Sequence, residues 1–205
     1  MNLTVTGLHA GYPGRPVLAG WSHTFAPGLT WVQGPNGCGK STLLKVLGGA
    51  LPAPFGTLRL GDTDARHAPL AWRQAVGWCG PDALVFGHLH ADEYASFLAG
   101  LYPRFDVAIY DRVADALGLA PWRGARIAAL SSGTQRKLAL AAMLATGTAV
   151  LLLDEPLANV DAACQDELRA LLDAAATQTE RIWIVTSHEP LGATAQARAG
   201  RLVLG

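Results

Sequence analysis

The chain has 205 residues, half of them apolar, which suits one sizeable core over 1–205 rather than two. Sixteen basic side chains balance sixteen acidic ones, so no whole-chain field draws it to nucleic acid, and no nucleic-acid partner is expected. The three cysteines, Cys38, Cys79 and Cys164, lack CxxC spacing, which argues against a disulfide framework and for a reducing compartment.

The start, MNLTVTGLHAGYPG, has neither a basic nor an apolar leader region, so no signal peptide is expected. Alternating stretches at 3–12, 17–28 and 29–34, broken by Gly and Pro, predict short strands and a small antiparallel β region. The third runs into GPNGCGKST at 34–42, and TLLKVLGGAL then shows helical spacing until Pro52 and Pro54 stop it. A strand pair, TLRL and AVGWC, is expected around a polar turn region. From roughly 82 to 132 the texture turns helical and charged, punctuated by Pro103 and Pro121, which predicts an inserted helical subdomain. Residues 138–153 are the most apolar stretch. Gly147 breaks it and Asp154 ends it, so it reads as a buried helix, a turn and a buried strand, not a membrane span. An amphipathic helix at 161–176 and the apolar strand IWIVTSH complete an α/β alternation with a parallel sheet.

Gly34, Asn36, Gly37, Cys38, Gly39, Lys40, Ser41 and Thr42 form a P-loop pattern between a strand and a helix. Such a turn exposes successive backbone N–H groups to phosphate oxygens, and the following helix adds its positive end. Lys40 is expected to reach the β- and γ-phosphates, and the Ser41 hydroxyl to ligate Mg²⁺. VLLLDEP at 150–156 puts Asp154 and Glu155 at the end of a buried parallel strand, where ligands bind in α/β sheets. Asp154 is a candidate for the metal and Glu155 for polarising an attacking water. Cys38, at a helix start beside Lys40, is expected to be reactive, with Cys79 shielded in a strand and Cys164 exposed on its helix. The other histidines, His9, His23, His67, His88 and His90, show no metal-ligand spacing.

Leu130-Ser131-Ser132-Gly133-Thr134-Gln135 resembles the LSGGQ signature of the ABC ATPases, and it lies between the P-loop and the acidic strand end as in that family. The resemblance covers nearly the whole chain and implies a P-loop NTPase (RecA-like) core with a mixed sheet and helices on both faces. It implies ATP with Mg²⁺, hydrolysed between two ATPase domains, identical or not, that close head to tail. Ser131 and Gly133 would then face the ATP of the partner domain, Leu157 to Asp161 would form the D-loop, His188 would contact the γ-phosphate, and Tyr12 would stack on adenine. It further implies a membrane permease on a separate chain and a peripheral position on the cytoplasmic face of the membrane. The compact length resembles the haem-exporter ATPases, and FLAGLYPRFD resembles drug and lantibiotic exporter ATPases, so an exporter is expected. The alternative is a soluble ABC ATPase acting on nucleic acid or the ribosome. The chain departs from the family pattern at Pro81, where a glutamine is usual, with Asp82 as a candidate substitute. It also departs at Thr134, where the signature has glutamine, and in a short C-terminus in which AGRLVLG alone resembles a closing strand.

Overall fold

The computed structural model describes residues 1–82 and 84–205. Strands β1 (Leu3–Tyr12), β2 (Arg15–Phe25) and β3 (Gly28–Gln33) lead to helix α1 (Lys40–Leu47). Then come β4 (Phe55–Leu60), the two-residue β5 (Thr63–Asp64), α2 (Pro69–Ala75) and β6 (Val76–Cys79). The helical stretch holds α3 (Ala91–Leu101), α4 (Val107–Ala116), two 3₁₀ turns and α5 (Ser132–Leu144). The chain closes with β7 (Val150–Asp154), α6 (Ala162–Ala175), β8 (Ile182–Thr186), α7 (Ala193–Arg198) and β9 (Gly200–Val203).

Parallel and antiparallel pairing are both present, as expected, and they sort into two sheets. An antiparallel sheet has the order β2-β1-β4-β5, and a parallel sheet has the order β6-β7-β8-β3-β9. The expected closing strand is β9, which pairs parallel to β3. The expected pairing of TLRL with AVGWC does not form. TLRL lies in β4 beside β1, while AVGWC supplies β6 beside β7 in the other sheet. Between them α2 starts at Pro69, a favoured first helical position, and two turns are too short to register as helical period.

The central parallel strands β7 and β8 are buried on both faces, which explains their largely apolar sequences, whereas the edge strand β9 is mostly exposed. In β7, Leu151 and Leu153 face a core shared with α3 to α6, including Leu98, Tyr110, Leu140 and Leu168. Val150 and Leu152 face the opposite core, shared with Leu43 and Leu44 of α1, Trp72 of α2 and the antiparallel sheet. Each such side chain contributes about 1.5–3 kcal/mol by leaving water. Cys164 corrects the expectation of exposure. It is buried, because spacing 164, 168, 172, 175 puts it on the apolar stripe of α6.

The turn joining α5 to β7 leaves no room for a side chain. Gly147 has φ +62°, and a Cβ there would lie 2.4 Å from the Arg104 carbonyl oxygen. The α3–α4 connection is tied to the same turn, with Asp106 N–H donating to Ala145 C=O at 2.8 Å. Gly147→Ala is therefore expected to destabilise the protein by about 1–3 kcal/mol in urea unfolding, from strain and from displacing that connection. An unchanged midpoint would contradict this packing.

Candidate functional site

Strands β3, β7 and β8 of the parallel sheet lie side by side, and the segments after them carry Lys40, Glu155 and His188. β3 ends at Gln33, and its chain must reverse at once into α1. Gly34 does this at φ +149°, where a Cβ would meet the Leu204 carbonyl oxygen at 2.3 Å and Cys38 Sγ at 2.7 Å. Gly39 caps α1 in a left-handed conformation. Lys40 is 8 % exposed, and its Nζ donates to the carbonyls of Gly34 at 2.8 Å and Pro35 at 3.2 Å. The lysine thus bridges its own loop and fixes the ammonium over it.

Asn36, Gly37, Gly39, Lys40, Ser41 and Thr42 line one wall of a cleft of about 420 Å³. Tyr12 and Arg15 rim it from the β1–β2 hairpin, and Glu155 and His188 close the far side. The volume lies within the range of small-molecule sites. Cys38 is not part of this wall. Its sulfur turns toward Gly34, and the side chain packs on the second core, so only its backbone faces the loop. The expected placement of the thiol beside the phosphate cradle is thereby corrected: the half-buried side chain packs as a small filler behind the loop.

Asp154 and Glu155 share a strand end but not an environment. Asp154 is 1 % exposed; its Oδ1 accepts from Thr186 Oγ1 at 2.6 Å, and its Oδ2 is buried with no hydrogen-bond partner. The chain then bends at Glu155, whose φ of +51° is costly for a residue with a Cβ. The bend is pinned by its N–H, shared between the Thr186 carbonyl at 3.1 Å and the Thr186 hydroxyl at 3.0 Å. It turns the carboxylate into the cleft, where Oε2 accepts the His188 backbone N–H at 3.0 Å and Oε1 lies 3.5 Å from His188 Nε2.

Ser131 and Gly133 lie outside this cleft. Ser131 is the N-cap of α5, with Oγ accepting from Thr134 N–H at 3.1 Å and lying 2.8 Å from the Thr134 hydroxyl. Thr134 therefore serves the cap. Gly133 faces the Asn159 carbonyl, Asn159 itself being at φ +60°. Lys137 Nζ lies 2.5 Å from Asp161 Oδ2. That hydrogen bond, with the one from Cys164 N–H, holds the Asp161 carboxyl below the usual carboxylate range. Pro81 and Asp82 border a small cavity of about 60 Å³ with Arg136, Glu155 and Asn159, and the Asp82 carboxylate lies 3.7 Å from Lys45 Nζ of α1.

Sequence reading missed Arg15, Thr186 and Arg136. Thr186 is the one hydroxyl in an otherwise apolar strand, and Arg136 precedes Leu140 by four residues on a buried helix face. Those two positions were the available signals.

A phosphate-cradling loop between a parallel strand and a helix, facing an acidic strand end, defines a P-loop nucleotide hydrolase. The chain belongs to the ABC transporter family, whose model matches residues 18–158. It is an ATP-binding, ATP-hydrolysing domain of that family, which uses hydrolysis to power transport. It is 32 % identical over 182 residues to the cytochrome c biogenesis ATP-binding export protein CcmA of Sodalis glossinidius, covering 88 % of this chain and 85 % of that protein. It is 34 % identical over 163 residues to the maltose/maltodextrin import ATP-binding protein MalK of Yersinia pestis, covering 78 % of this chain but only 44 % of that protein. The fold also matches a solved ATP-binding subunit of an ABC transporter, with TM-score 0.86 and 20 % identity over all of this chain and 86 % of that one. Among the described residues no helix is long and apolar enough to cross a membrane.

Two outcomes follow from this geometry. Thr186→Val removes a hydroxyl bonded to both acids and is expected to cost about 1–3 kcal/mol in urea unfolding and to slow ATP hydrolysis, while Thr186→Ser retains both properties. Wild-type behaviour of Thr186→Val would refute the pinning role. The thiols offer the second. Burial raises Cys79, and it raises Cys164 to about 11, so their neutral forms persist at pH 8, with about one Cys164 in a thousand as thiolate. A disulfide reagent is expected to titrate at most one thiol, Cys38, in the native protein and all three in denaturant. Two fast thiols in the native protein would contradict the burial.

Proposed function

We propose that the 205 residues act as one ATPase domain that energises a membrane exporter, hydrolysing Mg-ATP in the cleft between Lys40 and Glu155. The observation that carries this reading is the Glu155 carboxylate, turned toward the P-loop by the left-handed bend and held by the His188 N–H.

In this reading the backbone N–H groups of Gly34 to Thr42, including that of Cys38, cradle the triphosphate, and Lys40 supplies the point charge. Tyr12, 45 % exposed at the cleft rim, offers its ring to adenine. Glu155 takes up the proton side of the attacking water, and His188 orients Glu155 through its backbone while its imidazole faces the γ-phosphate. The site also fits Mg²⁺. Among the described residues no three His, Cys, Asp or Glu side chains cluster for a protein-only metal site. Mg²⁺ keeps waters and phosphate oxygens as ligands and needs few from protein, and the Ser41 hydroxyl and the unpartnered Asp154 Oδ2 are donors of that kind. When bound, the cation neutralises charge on the phosphate oxygens.

Ser131 and Gly133 act on the ATP of a second domain, identical or not, in a head-to-tail dimer. Ser131 is exposed and Gly133 half-buried, both away from this chain's own cleft, which supports that assignment. The membrane permease is a separate chain, and the domain sits peripherally on the cytoplasmic face. A groove of about 390 Å³ between α2, β6 and the end of α3 supports a docking partner there, since Leu70 and Leu101 beside it are largely exposed. Export rather than import draws support from CcmA, an export protein matched over most of both chains.

Glu155→Gln is expected to keep ATP affinity, lose at least about a hundredfold in turnover, and elute as an ATP-bound dimer with Mg-ATP in size-exclusion chromatography. Lys40→Ala is expected to lose ATP affinity outright in calorimetry. A monomeric Glu155→Gln that hydrolyses normally, or undiminished binding by Lys40→Ala, would overturn the assignment.

A further inference from the structure

Arg136 is buried, at 6 % exposure, in the first turns of α5. Among the described residues no carboxylate lies within ion-pair distance of it. Its partners are backbone carbonyls instead. Nη1 donates to the Gly80 carbonyl and lies 3.6 Å from Cys79 Sγ. Nη2 donates to the carbonyls of Asp154 at 2.6 Å and Glu155 at 3.0 Å. One planar guanidinium therefore joins three elements: α5, the end of β6 and the end of β7.

We propose that Arg136 is a positioning residue that sets Glu155 for hydrolysis by tying its backbone to the N-terminal turns of α5 and to the turn before Pro81. The proposal rests on the reading of Glu155 as the residue that polarises water.

The physical case begins with Glu155. Its left-handed conformation is strained, so it persists only where both peptide groups are held. Thr186 holds the N–H side, and on the carbonyl side Arg136 adds a tie to α5 and β6 to the local bond from the Ala158 N–H at 3.1 Å. A buried cation without a carboxylate is tolerated only while its hydrogen bonds are kept, so a shift of α5 against β7 would strand the charge. The placement of Glu155 is thereby linked to that of α5, which begins with the exposed Ser131 cap. Pro81 has no polar side-chain atom. The turn at its start reaches the site through the Gly80 carbonyl and Arg136. Lysine cannot replace this arrangement, because one ammonium does not span the same three carbonyls with a rigid fork.

The test uses R136K and R136Q in the full chain, each also combined with E155Q. Melting temperature, ATP dissociation constant and single-turnover hydrolysis are measured for all. Both single variants are expected to bind ATP within about threefold of wild type, with hydrolysis slowed by about tenfold or more. In the E155Q background the same substitutions are expected to slow residual hydrolysis by less than about twofold, because they act through Glu155. Should R136Q prove insoluble, R136K, which keeps the buried charge, carries the test. Wild-type turnover by R136K would overturn the proposal, as would an equal loss in the E155Q background or a loss confined to ATP affinity. Normal turnover by E155Q alone would instead overturn the reading of Glu155, and the proposal with it.

Discussion

The Thr186 hydroxyl is the contact on which the acidic edge of the sheet depends. It donates to the Asp154 carboxylate and accepts from the Glu155 N–H, so one side chain governs two adjacent acids. Because Asp154 and Thr186 are register partners in β7 and β8, strand pairing brings the hydroxyl beside Asp154, and the bend at Glu155 brings that residue's N–H to it. The consequence is a division of labour. Asp154 stays in the sheet, with one oxygen satisfied and the other buried and free. Glu155 leaves the sheet through a left-handed bend and meets His188 across the cleft. A threonine hydroxyl can do this because it both donates and accepts, which neither valine nor an ionised carboxylate can.

That edge is rigid because the strands behind it are buried on both faces. β7 and β8 have no exposed residue, and their alternate side chains serve two separate cores. A strand held from both sides cannot tilt to relieve strain at its end. The cost of the Glu155 conformation, of order 1–3 kcal/mol, is therefore borne by packing far larger in sum. The P-loop is anchored differently. Gly34 sits against the Leu204 carbonyl just after β9, so this strand backs a loop that is distant from it in sequence.

The parts of the site legible in the sequence are those written in consecutive residues. The P-loop declares itself in nine positions because its glycines must take conformations other residues resist. Asp154 and Glu155 follow an apolar run long enough to read as a buried strand. Thr186 and Arg136 stand out in the sequence only as polar residues on buried faces, and their roles were not legible, since their partners lie 32 and up to 57 residues away and only the sheet order brings them together. The error at Cys164 was avoidable, because its four-residue spacing to Leu168 and Leu172 places it inward. The error at Cys38 was not. The direction of its side chain is set by the space that Gly34 leaves and by the core beneath the loop. Pairing of β4 with β1 rather than with β6 was equally hidden, since both partners suit an alternating pattern and only the intervening α2 separates the sheets.

The cleft as this chain builds it is open on one side, with Tyr12 and the His188 side chain each about half exposed. Water there competes for every hydrogen bond and weakens the charge interactions on which phosphoryl transfer depends. Under the proposed function a second surface must therefore cover the phosphates before hydrolysis proceeds. The α5 N-terminus has the right character for that surface: a helix start with positive polarity, an exposed Ser131 and an adjacent Gly133 that permits close approach. Arg136 lies just inside the same helix start and grips the Glu155 carbonyl. Covering a partner's phosphates and setting this chain's own carboxylate would then be two ends of one rigid element. Hydrolysis would in that case be permitted only once α5 is seated, which makes premature turnover by a lone domain slow for a structural reason.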